Sequence, residues 1–279
     1  MRATNGCNVE SGRFELHGAR FDVRAADPDA RSVVAAALPP GAIAAEPGPV
    51  DQDFSVVVAD ESGRGAPSVH RVFSGEELVV ECADRDGLIR ELASTLDFAV
   101  AEHASRRVYV HAGVVDLDGH AIVIPGRSLS GKTTLVTALV RAGATFYSDE
   151  FAVIDRDGRV WPHARPLSIR PRGTTGPGLP VPIEELGAQP GSGPVTIGTV
   201  VSTRHVAGAS WRPVELDRGE GLLRMLDNAI VARTKPQLAL SMVAGALSSA
   251  RVLDGPRGDA DETARRILDL VGQRRDVAG

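Results

Sequence analysis

The sequence predicts an α/β fold on three observations. A β-branched strand, a glycine-framed loop and a helix follow one another across Ala121–Ala142. Beyond residue 105, stretches with strand-like and helix-like apolar spacing alternate. The 279 residues also suffice for one large α/β domain with a smaller unit in front of it. No internal repeat breaks the pattern.

Residues 1–83 read as short strands between turn-rich connections. The candidates are Arg13–Val23, Phe54–Ala59, Val69–Phe73 and Glu77–Glu81, with the Pro- and Gly-containing stretch Pro39–Pro49 among the loops. Asp84–His103 carries Leu88, Leu92, Leu96 and Val100 at four-residue spacing, which predicts a helix that Asp84 caps. The expected organisation is therefore a β-rich N-terminal subdomain over 1–104, ending in a helix, and a second domain over 105–279. The first carries no chemical motif.

In the second domain, Val108–Asp116 and His120–Pro125 read as strands joined by the turn Asp116-Leu117-Asp118-Gly119. A helix is predicted from about Lys132 to Ala142, with Gly143 where a C-terminal cap belongs. Phe151–Asp155 and Val160–Trp161 flank Arg156-Asp157-Gly158, a hairpin turn. Arg172–Pro194, rich in Gly and Pro, is expected to be a long loop. Thr196–Ser202 is a predicted strand. Gly219–Val231, Pro236–Ala250 and Asp261–Val271 are predicted helices, the last capped by Asp259 or Asp261.

The chemistry concentrates in the loop. Gly126, Arg127, Ser128, Leu129, Ser130, Gly131, Lys132 and Thr133 spell G-x-x-x-x-G-K-[ST], the Walker A pattern of a P-loop, and Thr134 continues into the helix. Glycines let the backbone wrap closely round phosphate oxygens and aim N–H groups at them. The helix that follows points its positive end at the same place. Lys132 is one of only two lysines among 31 basic residues. A position that keeps lysine against an arginine background needs a compact ammonium, the group that suits β- and γ-phosphates. Thr133 offers a hydroxyl to Mg²⁺. The expected ligand is ATP, or another nucleoside triphosphate, with Mg²⁺.

A phosphate loop alone does not separate kinases from hydrolases or mechanical ATPases. An acidic element is also needed. Asp149 and Glu150 stand together before the apolar strand Phe151–Asp155. Of such a pair at a strand mouth, one acid is expected to bind Mg²⁺, directly or through water, and the other to accept a proton from an attacking hydroxyl. His111 lies on the strand expected to pair with the one that enters the loop. From there an imidazole can orient the catalytic carboxylate or tune its pKa.

His111-Ala-Gly-Val, the loop Gly126–Thr133 and Ser148-Asp149-Glu150 together resemble the catalytic domain of HPr kinase/phosphorylase and its shorter relatives. The likeness spans roughly residues 105–170 and is loose beyond. It implies a P-loop fold of the type shared with phosphoenolpyruvate carboxykinase, a mixed sheet flanked by helices. It implies an ATP-dependent phosphotransferase acting on a serine or other hydroxyl of a peptide, protein or small molecule. It assigns Asp149 as the base, assisted by His111, and implies self-association. With Lys132 on the phosphates and Thr133 and Glu150 on the metal, this completes the expected site of a protein whose reduced cysteines suit the cytoplasm.

The departures from that pattern are specific. The pair is Asp-Glu where the family has two aspartates. Ser168-Ile169-Arg170-Pro171 stands where the family has E-I-R-G, so a metal-binding acid is missing. No counterpart is recognisable for the loop linked to dephosphorylation. A kinase-only relative is therefore expected, with Arg170 as a candidate contact to phosphate or substrate. The rival reading is a catalytically weak nucleotide-binding regulatory module.

Composition excludes other classes. With 43% apolar and 24% charged residues the chain is of ordinary globular make-up, and its net charge of −5 gives no reason to expect nucleic acid or an acidic membrane as partner. Cys7 and Cys82 make neither a disulfide framework nor a metal site and read as reduced thiols. The run Leu238–Ala250 is too short for a membrane span, which needs about 20 residues. No signal peptide is visible at the N-terminus.

Overall fold

Alternating apolar and polar residues make Ser11–Leu16 (β1) and Ala19–Ala25 (β2) an antiparallel hairpin, turned at His17-Gly18. A single strand was expected over Arg13–Val23. The positive φ of both His17 and Gly18 reverses the chain there. The computed structural model describes residues 11–59, 69–127, 130–169 and 178–272. The chain divides into two compact units, Met1–Arg106 and Arg107–Gly279.

In the first unit, Pro28–Ala37 forms a helix (α1) that sequence reading had left among the strands and loops. Pro28 sits in the first turn, where its missing N–H costs nothing, and the Asp27 carboxylate accepts from the Ala30 N–H at 2.7 Å. Ile43–Ala44 (β3), Gln52–Val57 (β4), His70–Ser74 (β5) and Glu77–Cys82 (β6) complete a six-stranded sheet of order β3-β1-β2-β4-β5-β6. Only β2 and β4 pair in parallel, with α1 in the crossover between them. Arg85–His103 (α2) follows, capped by Asp84 as expected. Phe21, Val23, Phe54 and Val72 from the sheet, with Val33 and Val34 of α1 and Leu88, Leu92 and Leu96 of α2, are among the buried apolar side chains of this unit. It is therefore a six-stranded unit with two helices, α1 inserted between strands and α2 as its last element.

The second unit is built on Val108–Leu117 (β7) and His120–Pro125 (β8), an antiparallel pair. Lys132–Arg141 (α3) leaves the glycine loop after β8. Thr145–Ser148 (β9) and Phe151–Ile154 (β10) both pair with β7, on either side of the turn that carries Asp149 and Glu150. Arg159–Trp161 (β11) pairs with β10. Leu167–Ile169 (β12) and Leu179–Val181 (β13) make a small separate ribbon. Val195–His205 (β14), Val214–Leu216 (β15) and Arg251–Arg257 (β16) are joined by Arg218–Leu226 (α4) and Pro236–Ala246 (α5), and Ala260–Gly272 (α6) closes the described chain.

The main sheet runs β11-β10-β7-β8-β14-β16-β15, with β9 also on β7. It is mixed: β8, β14 and β16 are parallel, and the rest antiparallel. On one face Val110, Val123 and Val200 cluster with Met225 of α4 and Met242 and Val243 of α5. On the other Ile122, Ile124 and Phe146 cluster with Leu135 and Leu139 of α3 and Ile267 of α6. Burying each such side chain contributes roughly 1.5–3 kcal/mol, so these two layers hold the sheet against its helices; the edge strand β11 also pairs with β14.

Several elements differ from the reading above. α4 stops at Leu226, because Asn228–Ile230 turns to pair with β7: the His111 N–H donates to the Asn228 carbonyl at 2.8 Å, and the Ile230 N–H to Tyr109 at 3.0 Å. α5 stops at Ala246, and the chain returns as β16. Within the long loop, residues 178–194 contain β13 and a short 3-10 turn at Ile183–Leu186. No helix among the described residues is long and apolar enough to cross a membrane.

Candidate functional site

The backbone at His111–Ala112 is the junction from which the site is hung. On one side the Gly126 N–H donates to the His111 carbonyl at 3.1 Å, anchoring the start of the glycine loop. On the other the Ala112 N–H donates to the Glu150 carbonyl at 3.0 Å, anchoring the acidic turn. Gly113, next along β7, is there for space: a Cβ would lie 2.5 Å from Val136 Cγ2 of α3. The absence of a side chain lets the helix approach the strand, and so brings its N-terminus over His111.

The loop ends at Gly131, whose φ of 85° lies in the left-handed region that favours glycine. From there α3 begins with Lys132 and no side-chain cap, so its first N–H groups point out of the helix end. The Lys132 side chain is buried, 7% exposed. Its ammonium donates to the carbonyls of Gly126 at 2.8 Å and Arg127 at 3.0 Å, closing the loop on itself. Burial lowers its pKa, while Glu150 and Asp149 raise it. Ser130 packs beside Gly126, and Thr134 is exposed on the third position of the helix. Ser128, Leu129 and Arg170 lie outside the described residues.

The acidic turn is set by Ser148, 1% exposed, whose Oγ accepts from the N–H groups of Glu150 at 3.1 Å and Phe151 at 2.9 Å. This sends the two acids to different partners. Asp149 Oδ2 accepts the Thr133 hydroxyl at 3.0 Å. Glu150 Oε1 lies 3.1 Å from His111 Nε2. One ring nitrogen cannot serve two neighbours in one protonation state. With a proton it donates to Glu150; without one it accepts from Lys132 Nζ, 3.4 Å away. The shorter distance favours the bond to Glu150.

Burial first, and the charge of Glu150 next, push the Asp149 carboxyl up to about 6, against the opposing pull of the Thr133 hydroxyl. His111 is largely enclosed, its side chain 12% exposed, whereas Glu150 is 42% exposed and open to an incoming group. The resemblance joins Asp149 to His111, and the sequence reading sets Glu150 with Thr133 at the metal. The side chains join them the other way round.

Among the described residues, no group of three or more His, Cys, Asp or Glu side chains is arranged to hold a metal ion. A hydroxyl and a carboxylate 3.0 Å apart at a helix N-terminus suit a Mg²⁺ ion that completes its shell with water and phosphate oxygens, the usual way this ion is held.

Two contributors escaped sequence reading. Ser148 belongs to the turn chemistry of Ser-Asp-Glu and was legible there. Arg257, 3% exposed at the end of β16, donates through Nη2 to the Gly131 carbonyl at 3.0 Å. It comes from 126 residues further along the chain, out of a segment whose Gly-Pro pair reads as a turn. No family model matches the chain, and no curated protein matches it in sequence.

Proposed function

We propose that this chain binds a nucleoside triphosphate with Mg²⁺ at the loop Gly126–Thr134 and transfers its terminal phosphoryl group to a hydroxyl of a peptide, protein or small molecule. The observation that carries this reading is the pairing of Thr133 with Asp149 at the start of α3, beside Lys132. A glycine loop, a helix N-terminus, an ammonium and a hydroxyl–carboxylate pair meet at the carboxyl end of β8, where open parallel strands bind ligands. The mixed sheet flanked by helices, and the sequence likeness to HPr kinase, support the finer reading of a phosphate-loop domain of the kind shared with phosphoenolpyruvate carboxykinase.

On this reading the loop amides and Lys132 hold phosphate oxygens, which replace the Gly126 and Arg127 carbonyls as partners of the ammonium. Thr133 and Asp149 hold the metal, which when bound neutralises charge on the phosphates. Glu150, half open and oriented by His111, takes the proton from the acceptor hydroxyl as its oxygen bonds to the γ-phosphorus and the bond to the β-γ bridging oxygen breaks. This exchanges the roles of Asp149 and Glu150 relative to the family resemblance. One observation favours the original assignment: a carboxyl titrating near 6, as Asp149 does, suits a general base.

A second function, a nucleotide-binding module without transfer, is favoured by the closure of Lys132 on its own loop. The test is incubation with γ-labelled ATP, Mg²⁺ and pools of hydroxyl-bearing peptides and metabolites, read by mass spectrometry, alongside calorimetric titration with ATP. Binding with transfer is expected. Tight binding without transfer to any acceptor selects the module, and absence of binding removes both readings.

A further inference from the structure

Arg257 is a buried cation whose partners do not account for its charge. It ends β16, the third parallel strand, and is held rigidly: its carbonyl accepts from the Val206 N–H at 2.8 Å, and Gly258 packs directly against Ala209. Its guanidinium donates to two main-chain carbonyls, Gly131 at 3.0 Å and Gly258 at 3.4 Å. Nε is buried without a hydrogen-bond partner. No carboxylate among the described residues forms an ion pair with it; Asp259 acts on it only at longer range. A buried charge is costly unless an opposite charge meets it.

The side chain also lines a narrow cleft. Ser130, Gly131 and Lys132 of the loop line it together with Pro125, Thr203 and Arg257 from the C-terminal parts of the three parallel strands. At Gly131 even a methyl group would strike the guanidinium: a Cβ would come within 2.3 Å of Nη2. The arginine is therefore built against the final turn of the loop. Because the peptide is trans, the Gly131 carbonyl that Arg257 holds and the Lys132 N–H point in opposite directions, the N–H away from the arginine.

We propose that Arg257 is a second fixed cation of the phosphate site, its uncompensated charge met by the phosphate chain of the bound nucleotide and its grip on Gly131 setting the direction of the Lys132 amide. This rests on the nucleotide reading above and adds to it a residue from a distant strand. Guanidinium, with several donors in a fixed fork, can keep one N–H on Gly131 while others turn to phosphoryl oxygens.

The experiment is titration of the full chain with ATP, ADP and pyrophosphate, each with Mg²⁺, for the wild type, Arg257→Met and Arg257→Lys. Methionine keeps the bulk and removes the charge. We expect at least about a tenfold loss of affinity for all three ligands in Arg257→Met and a smaller loss in Arg257→Lys. In the wild type, the Arg257 ¹⁵Nε–¹Hε resonance is expected to move on addition of pyrophosphate, a readout that does not depend on either variant folding. A wild type that binds none of the ligands removes the nucleotide reading itself. A wild type that binds while the arginine resonance stays still, or a folded Arg257→Met variant within about twofold of wild-type affinity, overturns this proposal alone.

Discussion

His111 Nε2 lies 3.1 Å from Glu150 Oε1, across the pairing of β7 with β10 that sets His111 directly opposite Phe151. The relationship is made by backbone before it is made by side chains: the Ala112 N–H holds the Glu150 carbonyl, and Ser148 holds the Glu150 N–H. A carboxylate fixed this way, half open on its far side, is placed to receive a proton. Glu150→Gln is expected to lower phosphoryl transfer by about 10²–10⁴-fold, the usual contribution of a general base, with ATP affinity changed by less than about threefold. His111→Ala should lower the rate less, because it removes the orienting group and not the base. If Glu150→Gln keeps its rate while Asp149→Asn loses it without losing Mg²⁺-dependent binding, the base is Asp149.

Lys132 is caged by its own loop, and under the proposed function its charge is the loop's contribution to holding phosphates. Lys132→Ala is expected to weaken ATP binding by at least about a hundredfold, the scale of losing charge-assisted bonds to phosphate. Its far-ultraviolet circular dichroism should not change. Titration calorimetry decides this: retained affinity in the alanine variant would remove the loop from the ligand site.

The pH behaviour follows from Asp149, whose carboxyl titrates near 6 in the folded chain and near 4 when unfolded. Between those values the folded state holds a proton that the unfolded state has released. This contribution therefore favours the fold at low pH and falls away as pH rises from about 4 to 6, by about 3 kcal/mol at most. Urea melts at pH 4.5 and 7 should show this difference in the wild type and not in Asp149→Asn. Metal has the opposite dependence, since only the carboxylate binds it. Mg²⁺-dependent nucleotide affinity is expected to rise with pH through about 6, and a flat profile would separate Asp149 from the metal.

Gly113 packs under α3, with Val136 Cγ2 within 2.5 Å of where a Cβ would be. Gly113→Ala is expected to cost about 1–3 kcal/mol through overpacking. The clash is pairwise, so Val136→Ala in the same chain should recover part of the loss. Additive melting shifts in the double variant would mean that the strand yields elsewhere. Because α3 carries Lys132 and Thr133, the single variant should also weaken ATP binding.

The local signals in the chain were sufficient for much of this. Glycine spacing marked the loop, four-residue apolar spacing marked α2, and Asp84 and Asp259 marked the caps that the structure contains. Asp27-Pro28 also signals a helix start, yet it reads equally as a turn, because the buried stripe of Ala30, Val33, Val34 and Ala37 contains two alanines and little contrast. The segments Gly219–Val231 and Pro236–Ala250 have helical spacing throughout, but the first ends in residues hydrogen-bonded to β7, and the second turns after Ala246 so that β16 can pair with β14 from Arg251. No local pattern encodes those partners.

By itself the sequence determined the α/β class of the C-terminal half and picked out the Gly, Lys, Thr, Asp, Glu and His of the candidate site, because loop geometry, helix periodicity and caps are interactions between near neighbours. Only the tertiary structure decided that Asp149 meets Thr133 while Glu150 meets His111, and that Arg257 closes on Gly131. Two adjacent acids become different only when the Ser148 turn sends one to Thr133 on α3 and the other to His111 on β7. A strand 126 residues away reaches the loop only because three parallel strands end at one edge of a sheet.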